Sequence, residues 1–300
     1  KAGQEILEYV KEHSYKSGTP TMGGIAIILA MLTAALIFGK GKFVYITLAV
    51  AFAYGVTGFL DDSIKIRYKR NLGLRPYQKI ILQLSIALIV AFVVYKNELI
   101  RGDVYIPFTK NTVSLGWGVI PLVVFIFIAT TNSVNLTDGL DGLAASTTLV
   151  YMAGIAAIIA IVAADADKNG LSLYVKEYQG LLTVCFATVG SLAGFLLFNC
   201  FPAKIFMGDV GSLALGGVVA CVSILGRLSL YIPILGVMFA TSAVSDIIQV
   251  VHYKRTKRRV FLMAPFHHHL QKKGLSETRI GFLYSTITGI VALICVLTLI

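Results

Sequence analysis

Residues 43–62 read FVYITLAVAFAYGVTGFLDD: eighteen residues without a charge, Phe43 to Leu60, running directly into the adjacent acids Asp61 and Asp62. A helix rises about 1.5 Å per residue and a bilayer core is about 30 Å thick, so roughly 20 apolar residues cross it. Scanning outward gives nine such stretches, at roughly 22–38, 43–60, 76–95, 117–135, 144–164, 179–199, 210–226, 228–250 and 280–300. They lack the strict polar and apolar alternation of a membrane barrel, so helices are expected. The whole chain agrees: 57% of residues are hydrophobic, 14% are charged and the mean hydropathy is +0.81. A water-soluble domain carries about a quarter charged residues. The expected fold is an all-α polytopic membrane protein with nine transmembrane helices in this chain, residues 1–300 forming one integral membrane domain. A secreted enzyme, a nucleic-acid module and a coiled coil fit poorly.

The net charge of +11 would suggest nucleic acid in a soluble protein. In a membrane protein, lysines and arginines on cytoplasmic loops give the same excess, so no nucleic-acid partner is expected. Alternate spans reverse direction, which puts residues before 22 and the loops near 61–79, 136–143, 200–209 and 251–279 on one side. Eighteen of the 26 Lys and Arg residues lie there, making that side cytoplasmic. Segment 99–116, with Val104-Tyr105-Ile106-Pro107 before Lys110-Asn111-Thr112, reads as a small external β-hairpin covering helix ends. Cys185, Cys200, Cys221 and Cys295 sit singly without CxxC spacing and read as packing residues.

Burying a carboxylate near a membrane is costly unless a cation or a function compensates. Yet Asp61, Asp62, Asp138, Asp141 and Asp209 all fall at cytoplasmic ends of spans, as do His13, His252, His267, His268 and His269. Such an inventory suits a metal-dependent site that handles phosphate. Asp61 and Asp62 would lie about 100° apart on a helix, so the two are expected to serve different tasks, one on a metal or as a base, the other positioning it. Asn132 to Gly142 holds two Asp-Gly pairs and two asparagines, more than an ordinary turn needs, and suited to contacts with a polar ring or sugar. Asp209 precedes a further helix, in Met207-Gly208-Asp209-Val210-Gly211-Ser212. Magnesium, which takes a few carboxylates, waters and substrate phosphates, fits better than zinc. Three consecutive histidines would not readily point at one zinc ion, so contact with phosphate or positioning is expected for His267 to His269. The basic run Lys254-Arg255-Thr256-Lys257-Arg258-Arg259 reads as an anchor to anionic lipid. No GxxxxGK[ST] loop is present, so an activated substrate must supply the energy.

Together, KSGTPTMGG (16–24), GFLDD (58–62), NLTDGLDG (135–142), FMGDVGSLALGG (206–217) and APFHHHL (264–270) resemble, in order and spacing, the bacterial MraY family of the polyprenyl-phosphate N-acetylhexosamine 1-phosphate transferase superfamily. GTPTMGG and HHH separate it from relatives that use UDP-N-acetylglucosamine. The resemblance implies ten helices, one of them preceding Lys1, and a homodimer in the bacterial inner membrane with its active site facing the cytoplasm. It implies Mg²⁺-dependent transfer of phospho-N-acetylmuramoyl-pentapeptide from UDP-N-acetylmuramoyl-pentapeptide to undecaprenyl phosphate, giving lipid I and UMP in peptidoglycan synthesis. By matching motifs, Asp61, Asp62, His268 and His269 are implied to be catalytic and Asp209 to hold the metal. Asn135, Asp138, Gly139, Leu140, Asp141, Asn199 and Phe206 match the nucleotide site, with Phe206 suited to stacking on uracil. Lys16, Thr19, Lys79 and His267 match further substrate-binding positions. Two positions depart from the family pattern: Ser242 where a glutamate often stands, with another acid at Asp246, and Leu72 where a lysine often stands.

Direct attack by the lipid phosphate is favoured here over a covalent sugar-phosphate intermediate on a carboxylate. A transporter or flippase would instead spread its acids near the bilayer midplane. A sister transferase using UDP-N-acetylglucosamine is the nearer alternative.

Overall fold

The computed structural model describes residues 18–68, 73–109 and 111–300. Its helices are α1 (Gly24–Phe38), α2 (Lys42–Arg67), α3 (Pro76–Lys96), α4 (Val119–Thr137), α5 (Leu143–Lys168), α6 (Ser172–Asn199), α7 (Gly208–Leu225), α8 (Ile232–Leu235), α9 (Val237–Thr256), α10 (Phe266–Lys272) and α11 (Glu277–Leu297). Among the described residues, seven helices are long and apolar enough to cross a membrane: α2, α3, α4 with the turn before it, α5, α6, α7 and α11. The segments Ser229–Leu235 and Val237–Thr256 make an eighth span if taken as one, but they are bent by 77°. Pro233 and Gly236 explain the break, since proline denies the helix a donor and glycine stabilises it weakly. α1 fills the remaining expected place and at 15 residues is short for a full crossing.

The bundle is built around α7. Every residue from Val210 to Leu225 is buried, with α2 and α4 as its main neighbours and α1 alongside. Small residues allow the approach, because a Cβ on Gly24 would collide with the backbone of Gly211. Buried threonines inside the helices return their hydroxyls to the preceding turn, as Thr47 does to Phe43 O at 2.8 Å and Thr131 to Phe127 O at 2.7 Å. The outer surface is apolar, with Phe38, Phe92, Phe125, Leu197 and Phe282 exposed, as expected where lipid rather than water is the solvent.

The predicted hairpin is present: β1 (Asp103–Tyr105) pairs antiparallel with β2 (Thr112–Ser114), Val104 opposite Val113. Arg227 pins it over the end of α7. Its Nη2 meets Asp103 Oδ2 at 2.9 Å, its carbonyl accepts from Tyr105 N at 2.8 Å, and its guanidinium lies 5.2 Å from the Tyr105 ring centre. At the opposite end of the bundle, the end of α2, the start of α3, the end of α4 and the start of α7 converge.

Candidate active site

α2 continues past the apolar stretch to Arg67, so Asp61 and Asp62 sit on its penultimate turns rather than in a loop. Lys65 explains the extension: spaced four and three residues from the two acids, it shares their helix face, with Nζ 2.6 Å from Asp61 Oδ2 and 3.4 Å from Asp62 Oδ1. Asp209, in the first turn of α7, comes against the same ammonium at 3.0 Å. Gly58 makes this approach possible, because a Cβ there would lie 2.5 Å from Val210 N and nearer still to the Asp209 carbonyl. One oxygen from each of Asp61, Asp62 and Asp209 lies within 4.8 Å of the others. Different tasks remain the expectation for the two adjacent acids, now at one shared cluster. The α7 N-terminus packs against α2 at Gly58, and both acids reach the same cluster.

Each carboxylate is held on both oxygens. Asp61 Oδ1 accepts from Leu74 N at 2.8 Å, Asp62 Oδ2 accepts from Val210 N at 3.2 Å, and Asp209 Oδ1 accepts from Asn135 Nδ2 at 2.8 Å. Lys79, from the first turns of α3, reaches Asp209 Oδ2 at 2.7 Å. Asn135 also donates to Ser212 Oγ at 2.8 Å, tying α4 to α7. Asp61 and Asp62 are 3% and 2% exposed. Fixed, desolvated carboxylates and ammonium groups of this kind can hold a hard cation and bind phosphate oxygens.

Loop 138–142 borders the cluster. Asp138 is half-buried just beyond α4, and its carboxyl is pushed up to about 8 by burial and then by the negative charge of Asp209, Asp62 and Asp141. Leu140 is buried, while Gly139 is exposed. Asp141 Oδ2 accepts from Ala203 N at 2.9 Å, and its own N–H donates to Glu277 Oε2 at 3.1 Å. Asn199 joins the same two loops, accepting from Gly142 N at 3.1 Å and donating to Ile205 O at 2.9 Å. Phe206 follows, half-buried, its N–H bonded to Pro20 O and its carbonyl to Gly23 N, both at 2.8 Å. Thr19 stands beside Pro20 and is half-buried; Lys16 and Leu72 lie outside the described residues.

The histidines part ways on α10. His267 is fully buried with both ring nitrogens unpaired. Burial and then the neighbouring His268 hold its imidazole well below the usual histidine range, hence neutral. Its Nε2 faces Gly139, where a Cβ would collide with it. His268 is half-buried, its ring centre 4.4 Å from that of His267 and its Nδ1 3.2 Å from Gln271 Oε1. His269 turns away: its Nδ1 accepts from Leu262 N at 3.1 Å and its ring stacks on Phe266 at 5.8 Å. Of the triplet, His267 is thus the one set against loop 138–142. Ser242, at the departing position, is buried and donates to Met238 O at 3.2 Å.

The structure therefore gathers Asp61, Asp62, Asp209, Asn135 and Lys79 at one point, and brackets it with loop 138–142, Asn199 and Phe206. Three residues were not singled out from sequence. Lys65 was signalled by its i+3 and i+4 spacing from the acids, Ser212 only weakly by its place one turn after Gly208, and Glu277 not at all.

A polytopic helical bundle with a carboxylate and lysine cluster at one end has the makings of a membrane enzyme acting on phosphate esters. Residues 43–227 match the model of glycosyl transferase family 4, and residues 16–28 match the first signature of the phospho-N-acetylmuramoyl-pentapeptide-transferases. Proteins of that name are similar to the chain along nearly its whole length. The one from Clostridium novyi is 42% identical over 303 residues, covering 100% of this chain and 89% of its own. That of Bacillus mycoides is 45% identical over 286 residues, covering 93% and 84%, and that of Clostridioides difficile 42% identical, covering 95% and 85%. The chain belongs to glycosyl transferase family 4 and, within it, to the phospho-N-acetylmuramoyl-pentapeptide-transferase family. It is a multi-pass membrane transferase.

Proposed function

We propose that the chain transfers phospho-N-acetylmuramoyl-pentapeptide from UDP-N-acetylmuramoyl-pentapeptide to undecaprenyl phosphate, releasing UMP and forming lipid I at the cytoplasmic face of the bacterial inner membrane. The observation that carries this reading is the convergence of Asp61, Asp62 and Asp209 with Lys65 and Lys79. The donor set fits Mg²⁺: three carboxylates within 4.8 Å supply the hard oxygen ligands that such an ion takes. Asp209 would hold the ion with Asp61 and Asp62 beside it, and the ion when bound would neutralise diphosphate charge and make UMP a better leaving group.

The chain's own residues do the rest. Lys79 binds a diphosphate oxygen in place of its contact with Asp209. Phe206 stacks on the uracil ring, with Asn199 and loop 138–142 shaping the pocket around it. Asp61 takes the remaining proton of the lipid phosphate and orients it. A lipid phosphate oxygen then attacks the sugar-linked phosphorus, the bond to the uridylate oxygen breaks, and the electron pair leaves with UMP. Asp62 keeps its place on the α7 N-terminus through Val210 N and holds that geometry. Direct attack is the route favoured here, with Asp61, held in place by Leu74 N and Lys65, as the proton acceptor. His267, set against loop 138–142, and His268, packed on it, position the substrate's polar groups.

The test is UMP release by detergent-purified protein given both substrates, with and without Mg²⁺, beside Asp209→Ala. Release that needs lipid phosphate and Mg²⁺ and is lost in the variant supports the reading. Equal release with UDP-N-acetylglucosamine would move the chain to the sister activity. Stoichiometric UMP release without lipid phosphate, leaving sugar phosphate on an aspartate, would replace direct attack with a covalent route.

A further inference from the structure

Loop 138–142 lies between the end of α4 and the start of α5, and its position is set from outside those helices. Asn199 holds it at Gly142 N. His267 abuts it at Gly139. Glu277 accepts its Asp141 N–H at 3.1 Å, across 136 residues of sequence. Glu277 opens α11 directly after Ser276, whose hydroxyl accepts from Arg279 N at 3.4 Å. A carboxylate in the first turn is favoured by the helix macrodipole, and at 7% exposure this one is shielded from water. Apolar packing runs the same way, since Leu140 and Leu143 cluster with Ile280 and Tyr284 of α11 and Met238 of α9. α11 and the loop therefore form one packed unit, with Glu277 as its polar link.

That link continues inward. Asp141, its main chain fixed by Glu277, uses its own carboxylate to hold Ala203 N at 2.9 Å. Ala203 lies three residues before Phe206, and Asn199 holds Ile205 O in the same loop at 2.9 Å. We propose that Glu277 is a positioning residue for the nucleotide end of the reaction, fixing the Asp141 main chain and, through Asp141, the loop that carries Phe206. The inference depends on the functional reading above, in which Phe206 and its neighbours bind the uridine nucleotide. Glu277 acts through the loop and touches no reacting atom, so its removal shows in nucleotide binding rather than in the chemical step.

The experiment is steady-state UMP release by the full-length protein in detergent, with KM measured separately for UDP-N-acetylmuramoyl-pentapeptide and for undecaprenyl phosphate. Three variants are compared. Glu277→Ala removes the acceptor; Glu277→Asp keeps the charge at the α11 N-terminus but is one methylene too short; Glu277→Gln keeps an acceptor oxygen in place without the charge. A lost buried hydrogen bond corresponds to roughly 10-fold in an equilibrium constant. Glu277→Ala and Glu277→Asp raise the nucleotide KM about 10-fold, leave the lipid KM and kcat within about 2-fold, and Glu277→Gln restores the nucleotide KM to within about 3-fold of wild type. If Glu277→Ala fails to fold, the contrast between Asp and Gln alone decides. A nucleotide KM unchanged in Glu277→Asp, or an Asp variant better than the Gln variant, would overturn the inference. Wild-type protein that released no UMP would instead overturn the functional reading.

Discussion

Gly58→Ala tests whether the contact between α2 and α7 sets the geometry of the acid cluster. The added methyl would stand 2.5 Å from Val210 N and closer to the Asp209 carbonyl, against an ordinary contact of about 3.5 Å. Both neighbours are backbone, so no side-chain rotation relieves the overlap, and the helices must part by about 1 Å. Overpacking of this kind costs roughly 1–3 kcal/mol. The parting falls between Asp61 and Asp62 on one helix and Asp209 on the other, and a misplacement of about 1 Å in reacting groups costs on the order of 100-fold in rate. UMP release should therefore fall by about two orders of magnitude in kcat, while thermal unfolding in detergent shifts down by several degrees, since about 1 kcal/mol moves the midpoint by roughly 2–4 °C in a large domain. Gly194→Ala is the control, being an exposed helical glycine with open space around it, and should retain wild-type turnover. A Gly58→Ala enzyme with kcat within about 2-fold of wild type and an unshifted midpoint would refute the reasoning, because a backbone clash at that contact cannot leave the cluster undisturbed.

Lys65→Ala strips the cation shared by three carboxylates from a site where the lysine side chain is 15% exposed. Leaving buried charge unbalanced costs about 3 kcal/mol, read as a lower unfolding midpoint in EDTA, and added Mg²⁺ should narrow the gap to wild type. Asp138, raised to about 8, holds a proton in the folded state that the unfolded chain releases above about pH 4. Its contribution to stability is whole below that pH and is lost as pH rises through 8, so Asp138→Asn should flatten the fall in unfolding midpoint between about pH 5 and 9. Glu177→Ala removes the acceptor of Lys42 N at 3.0 Å and Phe43 N at 2.8 Å at the far end of α2. It should cost about 1–2 kcal/mol of stability and leave kcat for UMP release unchanged.

The spans were legible because lipid leaves a sequence few options: about 20 apolar residues must satisfy their own backbone, and only helices do so in one segment. The break in the eighth span was less so. Hydropathy runs unbroken from 228 to 250, and only Pro233 and Gly236 announce the 77° bend. The end of α2 misled for the opposite reason. Hydropathy stops at Asp61, but the helix runs on to Arg67 because Lys65 neutralises the acids from the next turn. The five aspartates mark one end of the bundle, where three of them converge, yet helical angles alone set Asp61 apart from Asp62. The approach of Asp209 to α2, permitted by Gly58, completes a cluster in which one oxygen of each lies within 4.8 Å of the others. Glu277 carried no local sign at all, since an acid after Ser276 is an ordinary first-turn residue and its partner lies 136 positions away.

The charges assembled around α7 constrain how such a site can work. Asp61, Asp62 and Asp209 bring three negative charges, and Lys65 and Lys79 bring two positive ones. Asp138 adds none at neutral pH, with its carboxyl at about 8. With all three acids ionised the buried cluster is net negative, a poor receptor for a diphosphate and a lipid phosphate together. One divalent cation reverses the sign, and the same two lysines are then free of part of their carboxylate load and can turn to phosphate oxygens. Under the proposed function, this charge balance puts cation binding before or together with the nucleotide. Nucleotide affinity measured at fixed ionic strength should rise steeply with Mg²⁺ concentration in wild type and far less in Asp209→Ala, whose cluster has already lost one negative charge and a ligand. Equal Mg²⁺ dependence in the two proteins would mean that the cation reaches the enzyme only as a complex with the nucleotide, and that the acid cluster serves the lysines alone.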